Sequence, residues 1–150
     1  MGFLVSLRQS KIKAVAGGAD RGEIMGTFAV GCKIENMVDR TRQVKLARML
    51  VDTGSEYTWA PATTLEKIGI AREKKDVEFV MANGQRITRS VGFAIIRVDK
   101  AFTVDEIVFA EKGDLLLLGA RSLEGLSLTV DPRGKKLVAA GPLLAAPTRT

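Results

Sequence analysis

The chain has 150 residues, of which 46% are hydrophobic, with one cysteine, no histidine and a formal net charge of +6. The lack of histidine excludes Ser-His-Asp and Cys-His catalysis and removes the commonest metal ligand. The lone cysteine excludes an internal disulfide framework.

The positive charge lies at the two ends of the chain. Residues 1–22 carry four basic side chains and one acidic, and residues 132–150 carry four basic and none acidic. Residues 23–131 are nearly balanced, with 15 basic and 16 acidic side chains. A folded nucleic-acid interface needs a basic face, so this distribution does not favour nucleic acid as a partner. No apolar stretch is long enough to span a membrane, and we expect a cytoplasmic protein.

The first third of the chain leads into a pair of strands. Residues 1–24 have no periodic pattern, and their glycines predict a flexible basic leader. Alternating apolar residues over 27–35 predict a half-buried strand that places Cys32 in the core rather than as a reactive thiol. After a polar loop over 36–42, a second strand over 44–51 runs into Asp52-Thr53-Gly54-Ser55.

The middle of the chain predicts a short helix and a hairpin. Pro61 suits the first turn of a helix that extends to Ile68, and Gly69 suits its end. A strand over 77–81 then meets Asn83-Gly84, the strongest short hairpin signal, because both turn residues favour positive φ. The return strand extends over 87–98.

The last third of the chain predicts more short elements. A strand over 102–109 precedes Leu115–Leu118, an apolar run typical of a strand buried on both faces. A short helix over 119–126 follows, and two further strands flank the turn at 132–134. Many short strands separated by turn signals predict an all-β barrel or sandwich rather than a parallel α/β sheet.

The segment Asp52-Thr53-Gly54-Ser55 is the candidate for chemistry. It offers a carboxylate at the end of a buried strand, a glycine that lets the backbone turn sharply, and a Ser55 hydroxyl able to hold the carboxylate. Asp-Thr-Gly alone also occurs at ordinary strand ends. Three further features make the pattern specific: the apolar strand before Asp52, the Asn83-Gly84 hairpin about thirty residues downstream, and the run Leu115–Gly119.

In this order and spacing, these segments resemble the retroviral-type, or retropepsin-like, aspartic proteases. The stretch from Met25 to about Ala139 is similar to their small bacterial and archaeal single-domain relatives. The resemblance implies an all-β retropepsin-like acid-protease barrel with one or two short helices, which forms half of a homodimeric active site. We expect a domain over 25–141, preceded by the leader 1–24 and followed by a tail over 142–150.

The resemblance also implies roles for individual residues. Asp52 is expected to be the catalytic aspartate, and Thr53 to brace two loops across a dimer axis, while Gly54 and Ser55 complete the loop. The flap that closes over a bound peptide corresponds to 81–87, with Met81, Ala82, Asn83 and Gly84 as its candidate substrate-binding residues. The strand that packs behind the catalytic loop corresponds to Leu117, Leu118 and Gly119.

Two positions depart from the family pattern. Viral members place Arg directly after the glycine that ends the apolar run, here Gly119. They place Asp two residues past the glycine of Asp-Thr-Gly, here Gly54, and this Arg and Asp pair near the dimer contact. Here the positions hold Ala120 and Glu56, and Arg121, one place later, is a candidate partner for Glu56.

The function implied is hydrolysis of peptide bonds by a homodimer, without metal or cofactor. No other aspartate is followed by Ser/Thr-Gly, so the second carboxylate is expected from Asp52 of another copy. The apolar stretch Leu137–Leu144 is a candidate interface strand. Two alternatives remain: a non-catalytic dimeric binding module on the same fold, and a small β-barrel nucleic-acid binder, for which the core lacks a basic groove.

Overall fold

A computed structural model describes residues 28–143 and 145. The leader over 1–24 and residues 144 and 146–150 of the tail lie outside the described residues. The domain limits therefore stay predictions. Among the described residues, no helix has the length and apolar character needed to cross a membrane.

The described chain forms mostly strands, with two short helices. In chain order the elements are β1 (Ala29–Glu35), β2 (Gln43–Asp52), β3 (Thr58–Pro61), α1 (Ala62–Lys67), β4 (Lys74–Val80), β5 (Arg86–Val98), β6 (Ala101–Ala110), β7 (Leu117–Gly119), α2 (Ala120–Leu126), β8 (Leu128–Asp131) and β9 (Lys136–Ala139). The prediction of an all-β fold with one or two short helices is confirmed.

Six of the strands close into a barrel. The main sheet has the order β1-β2-β7-β3-β6-β5-β4, and β1 pairs with β5 as well as with β2. Strand β4 pairs only with β5 and extends outside the closed ring as a hairpin. Strands β8 and β9 form a separate two-stranded sheet.

Two apolar clusters fill the two faces of this barrel. The larger lies inside and includes Ile34, Ile96 and Cys32, whose burial raises the pKa of its thiol to about 12 and confirms it as a core residue. The second cluster lies between the barrel and the β4–β5 hairpin, which supplies two of its members. It consists of Trp59, Phe79, Val91, Val108, Ala110 and Leu117. Because side chains alternate along a strand, β6 supplies Phe109 to the first cluster and Val108 to the second.

Some elements differ from their predicted form. The run predicted as a strand over 115–118 is extended only over Leu117–Gly119, because its partners in β2 and β3 cover only that part. At the hairpin, Gly84 has φ 87° but Asn83 does not have positive φ. The Gly84 N–H donates to the Met81 carbonyl, and the Met81 N–H to the Gln85 carbonyl, so the connection is a three-residue loop with one left-handed glycine.

Candidate active site

Asp52 is the last residue of β2, on the parallel ladder with β7. That ladder pairs Leu50 with Leu117, Val51 with Leu118, and Asp52 with Gly119. The apolar pairs bury both strands, and they carry the carboxylate of Asp52 to a position that is 8% exposed. The structure thus brings together the predicted catalytic residue and the predicted strand behind it.

The backbone of the loop holds the carboxylate and turns directly after it. The Gly54 N–H donates to Asp52 Oδ1 over 2.9 Å, and the Ser55 N–H donates to the Asp52 carbonyl over 3.2 Å. The Ser55 hydroxyl donates to the carbonyl of Tyr57 at 3.2 Å. A hydroxyl has only one proton to donate, and here it is donated to the Tyr57 carbonyl. The sequence had predicted instead that the Ser55 hydroxyl would hold the Asp52 carboxylate. Thr53 is exposed at the apex of the loop.

The junction of β7 and α2 supports the loop from behind. Ala120 N–H donates to the Ser55 carbonyl at 2.8 Å, and Arg121 N–H to the Glu56 carbonyl at 3.1 Å. Gly119 lies so close that a Cβ there would be 2.8 Å from the Glu56 carbonyl oxygen and closer still to the carbonyl of Tyr57. The absence of a side chain at this position is therefore a steric requirement of the loop.

A chain of buried polar side chains runs beneath the same junction. Gly119 N–H donates to Thr58 Oγ1 at 3.0 Å, Thr58 Oγ1 lies 2.6 Å from Ser122 Oγ, and Ser122 Oγ donates to Asp105 Oδ2 at 2.8 Å. Thr58 and Ser122 are fully buried. Burial raises the pKa of the Asp105 carboxyl, although the Ser122 hydrogen bond acts in the opposite direction.

The predicted flap is the hairpin of β4 and β5, and it meets the loop through the second apolar cluster. Phe79 of the hairpin packs 5.1 Å from Trp59 and 5.4 Å from Tyr57 between ring centroids. Met81 is half-buried against this cluster. Ala82, Asn83 and Gly84 are exposed at the tip. The part of the hairpin next to its turn therefore adjoins the segment that follows Asp52, while the turn residues 82–84 are exposed to solvent.

Charged side chains surround the second apolar cluster in two groups. In the first, Arg121 pairs with Glu106 at 3.2 Å and lies over the Tyr57 ring at 5.0 Å, and Lys74 also pairs with Glu106. The expected pairing of the Arg121 side chain with Glu56 is wrong, because that side chain is directed at Glu106 and it is the Arg121 backbone N–H that donates to the Glu56 carbonyl.

The second charged group is an ion pair that joins β5, the return strand of the predicted flap, to the loop before β7. Arg89 donates to both oxygens of Asp114, at 2.8 and 2.9 Å, and hydrogen bonding to Asp114 raises the pKa of Arg89. Asp114 Oδ2 also accepts from the Glu111 N–H. This pair fixes the segment that carries Leu115 and Leu116 beside the hairpin.

The sequence interpretation missed the polar chain of Thr58, Ser122 and Asp105. One signal was present: Asp105 lies on the phase of β6 that continues as Ile107 and Phe109, both in the core. A carboxylate on an inward-facing phase needs hydrogen-bond partners. Between residues 28 and 143, no set of three or more His, Cys, Asp or Glu side chains is arranged to hold a metal ion.

Fold and site together define a class of protein: a small closed barrel with one Asp-Thr-Gly loop at the end of a buried strand, which is the retropepsin-like aspartic protease architecture. Residues 37–125, more than half of the chain, match the model of a family described as gag-polyprotein putative aspartyl protease. The chain belongs to this family, and the resemblance found in the sequence is confirmed. Comparison with curated proteins finds no match.

Proposed function

We propose that the chain is an aspartic endopeptidase that acts as a homodimer, with one Asp52 from each copy in a shared active site. The observation that carries this proposal is the placement of Asp52. The residue is 8% exposed at the end of β2, and the Gly54 amide orients its carboxylate directly beside the exposed apex of the loop. A second loop of this kind does not occur among the described residues, so the partner carboxylate comes from a second copy.

The chemistry uses the two carboxylates in different protonation states. Like charges a few ångströms apart do not both ionise easily, so the pair holds one proton, as the aspartic proteases generally illustrate. The ionised carboxylate takes a proton from water as the water oxygen bonds to the scissile carbonyl carbon, and the protonated one donates to the carbonyl oxygen. As the C–N bond breaks, the carboxyl that took the proton from water donates it to the leaving nitrogen, and the other carboxylate recovers its proton from the hydroxyl that becomes the new carbonyl oxygen.

The substrate proposed is an extended peptide with apolar side chains beside the scissile bond. Met81 and Ile87 of the hairpin are half-buried and join the second apolar cluster next to Tyr57, as does half-buried Leu115 of the loop before β7. Apolar lining of this kind favours apolar ligand groups. The hairpin of β4 and β5 would then close over the peptide as a flap, and the exposed Thr53 would contact its counterpart across the two-fold axis. The proposal places the enzyme in the cytoplasm.

The test combines molecular mass with cleavage. Sedimentation is expected to show a dimer, and the dimer is expected to cut a peptide library between about pH 4 and pH 7. Asp52→Asn removes the ionisable group and is expected to lower kcat by at least about a thousandfold. Asp99→Asn is the matched control, since Asp99 is exposed in the turn between β5 and β6 and its substitution is expected to leave cleavage unchanged.

Three results would contradict the proposal. A strict monomer at high concentration would leave each active site with a single acid. Equal cleavage by wild type and Asp52→Asn would assign the activity to something else. A confirmed dimer that never cleaves peptide would instead favour the non-catalytic binding module.

A further inference from the structure

We propose that Thr58, Ser122 and Asp105 are positioning residues that set the place of the catalytic loop through Gly119. This inference rests on the proposed function, because the loop matters only if Asp52 is catalytic. The three residues come from different elements, namely β3, α2 and β6. Together they connect β3, which follows the loop, with the junction of β7 and α2 that lies behind it and with β6.

The direction of each hydrogen bond in the chain follows from counting protons. Ser122 has one hydroxyl proton, and it is directed at Asp105 Oδ2. The short contact between Ser122 Oγ and Thr58 Oγ1 must then use the proton of Thr58. A lone pair of Thr58 remains for the Gly119 N–H. The Asp105 carboxylate therefore fixes the direction of the whole chain, and its other oxygen is held by the Glu106 N–H at 2.7 Å.

The series of hydrogen bonds ends at Gly119, the residue that positions the loop. Gly119 is the ladder partner of Asp52. The amides that follow Gly119, at Ala120 and Arg121, hold the carbonyls of Ser55 and Glu56. A shift of Gly119 thus moves both the strand beside Asp52 and the support of the residues after it.

Stability alone does not account for these side chains. Thr58 and Ser122 are fully buried, and a valine and an alanine would be as apolar as their surroundings but would leave the Gly119 N–H without its acceptor and Asp105 Oδ2 without its donor. Buried hydroxyls contribute little net stability when paired and are costly when unpaired. What they add is a fixed geometry, because each oxygen has one arrangement that satisfies all of its neighbours.

A fixed geometry has a direct use in a dimeric acid protease. The two Asp52 carboxylates must share one proton and one water across the axis, so a small displacement of either loop separates the reacting atoms. Misplacement by about 1 Å can lower the rate about a hundredfold. Peptide binding depends on the flap and the apolar cluster, so the loss is expected in kcat and not in KM.

The experiment compares Thr58→Val, which removes the hydroxyl, with Thr58→Ser, which keeps it. Thr58→Val is expected to lower kcat about tenfold or more with KM changed less than about twofold, whereas Thr58→Ser recovers most of that loss. Ser122→Ala is expected to match Thr58→Val. The double variant is expected to be little worse than either single one, because each substitution breaks the same series of hydrogen bonds. Thr103→Val is the matched control: Thr103 is a half-buried threonine of β6 outside this chain, and its substitution is expected to leave kcat unchanged.

Hydrogen exchange of the Gly119 amide gives a readout that needs no substrate. In Thr58→Val this amide is expected to exchange at least about tenfold faster, while amides at the centre of β5 keep their wild-type rates. If wild type cleaves peptide and Thr58→Val keeps full kcat, the positioning role is wrong. If wild type does not cleave, the proposed function fails, and unchanged Gly119 exchange would overturn the hydrogen-bonded support as well.

A second variant keeps the test open if Thr58→Val does not fold. Asp105→Asn keeps one acceptor oxygen and the size of the side chain, and it is expected to lower kcat about three- to tenfold. Full kcat in a folded Asp105→Asn dimer, together with unchanged Gly119 exchange, would also overturn the proposal.

Discussion

Gly119 is the residue at which the Asp-Thr-Gly loop tolerates no side chain behind it. A Cβ there would meet backbone atoms of Glu56 and Tyr57, which cannot move without displacing the loop. The φ of Gly119 is −90°, so its backbone suits any residue and the constraint is purely steric. Close approach of two backbones is the reason for glycine at this position.

Gly119→Ala is therefore expected to destabilise the protein by about 2 kcal/mol and to abolish cleavage, since the loop must shift to admit the methyl group. Urea unfolding followed by circular dichroism measures the first effect and peptide cleavage the second. Gly31→Ala is the control, because a Cβ at Gly31 would lie 3.8 Å from the nearest atom, an ordinary contact. A Gly119→Ala protein with wild-type stability and activity would show that the loop is not held from behind.

At this scale the sequence predicts the residues with a local signature. Asp52, Gly54 and Gly119 belong to short patterns, and the structure brings all three into one loop and the ladder behind it. Thr58 and Ser122 were not predicted, because they are 64 positions apart and nothing local marks either one. Their partnership depends on the register of β3 beside β6 and β7, which only the folded chain defines.

At the scale of elements, periodicity predicted which segments are strands and helices but not how far each extends. β2 begins at Gln43, one residue before the predicted strand, and it extends to Asp52 because its polar first half pairs with β1. The predicted interface strand over 137–144 is extended in β9 only up to Ala139, where pairing with β8 ends. Strand ends thus follow from partners, while strand interiors follow from side-chain alternation.

The β4–β5 hairpin offers a test of the flap. Gly84 has φ 87°, and a Cβ at this position would meet no other atom within 4 Å, so only the backbone conformation restricts the residue type. Gly84→Val is expected to disfavour the turn by about 1–2 kcal/mol, and a loss of that size in flap closure would raise KM for peptide roughly five- to thirtyfold. Gly84→Asn, which tolerates a left-handed backbone, is expected to keep KM within about twofold. Equal KM values for wild type and Gly84→Val would argue against a role of this hairpin in substrate binding.

At the scale of the whole molecule, two buried glutamates join elements that are distant in the chain. Glu35 of β1 accepts from Arg97 of β5 at 2.8 Å, at the pairing that closes the barrel. Glu106 of β6 pairs with Lys74 of β4 and with Arg121 of α2. The Arg97 hydrogen bond lowers the pKa of Glu35; at Glu106, burial opposes the effect, but Lys74 and Arg121 still lower the pKa.

These lowered pKa values predict how stability depends on pH. A carboxyl with a lowered folded-state pKa stabilises the fold above its unfolded value, here 4.5, and that contribution is lost as pH falls through the folded-state pKa. The raised pKa of Asp105 acts in the opposite sense, because its contribution declines as pH rises through the folded-state value. Hydrogen bonds from Thr41 lower the pKa of Asp39 as well, so three carboxyls with lowered pKa values stand against one with a raised value, and the free energy of unfolding is expected to fall on acidification below the ordinary carboxyl range.

Glu35→Gln is expected to lower the free energy of unfolding at pH 7 by about 1 kcal/mol, since Arg97 loses its charged partner. The same substitution removes one titrating group, so the variant's stability should fall less steeply with acid than that of wild type, and the two curves should converge below the folded-state pKa. Urea unfolding at a series of pH values measures both effects, with Glu124→Gln on the exposed face of α2 as the control. Parallel curves for wild type and Glu35→Gln down to acid pH would show that the ion pair closing the barrel does not control acid stability.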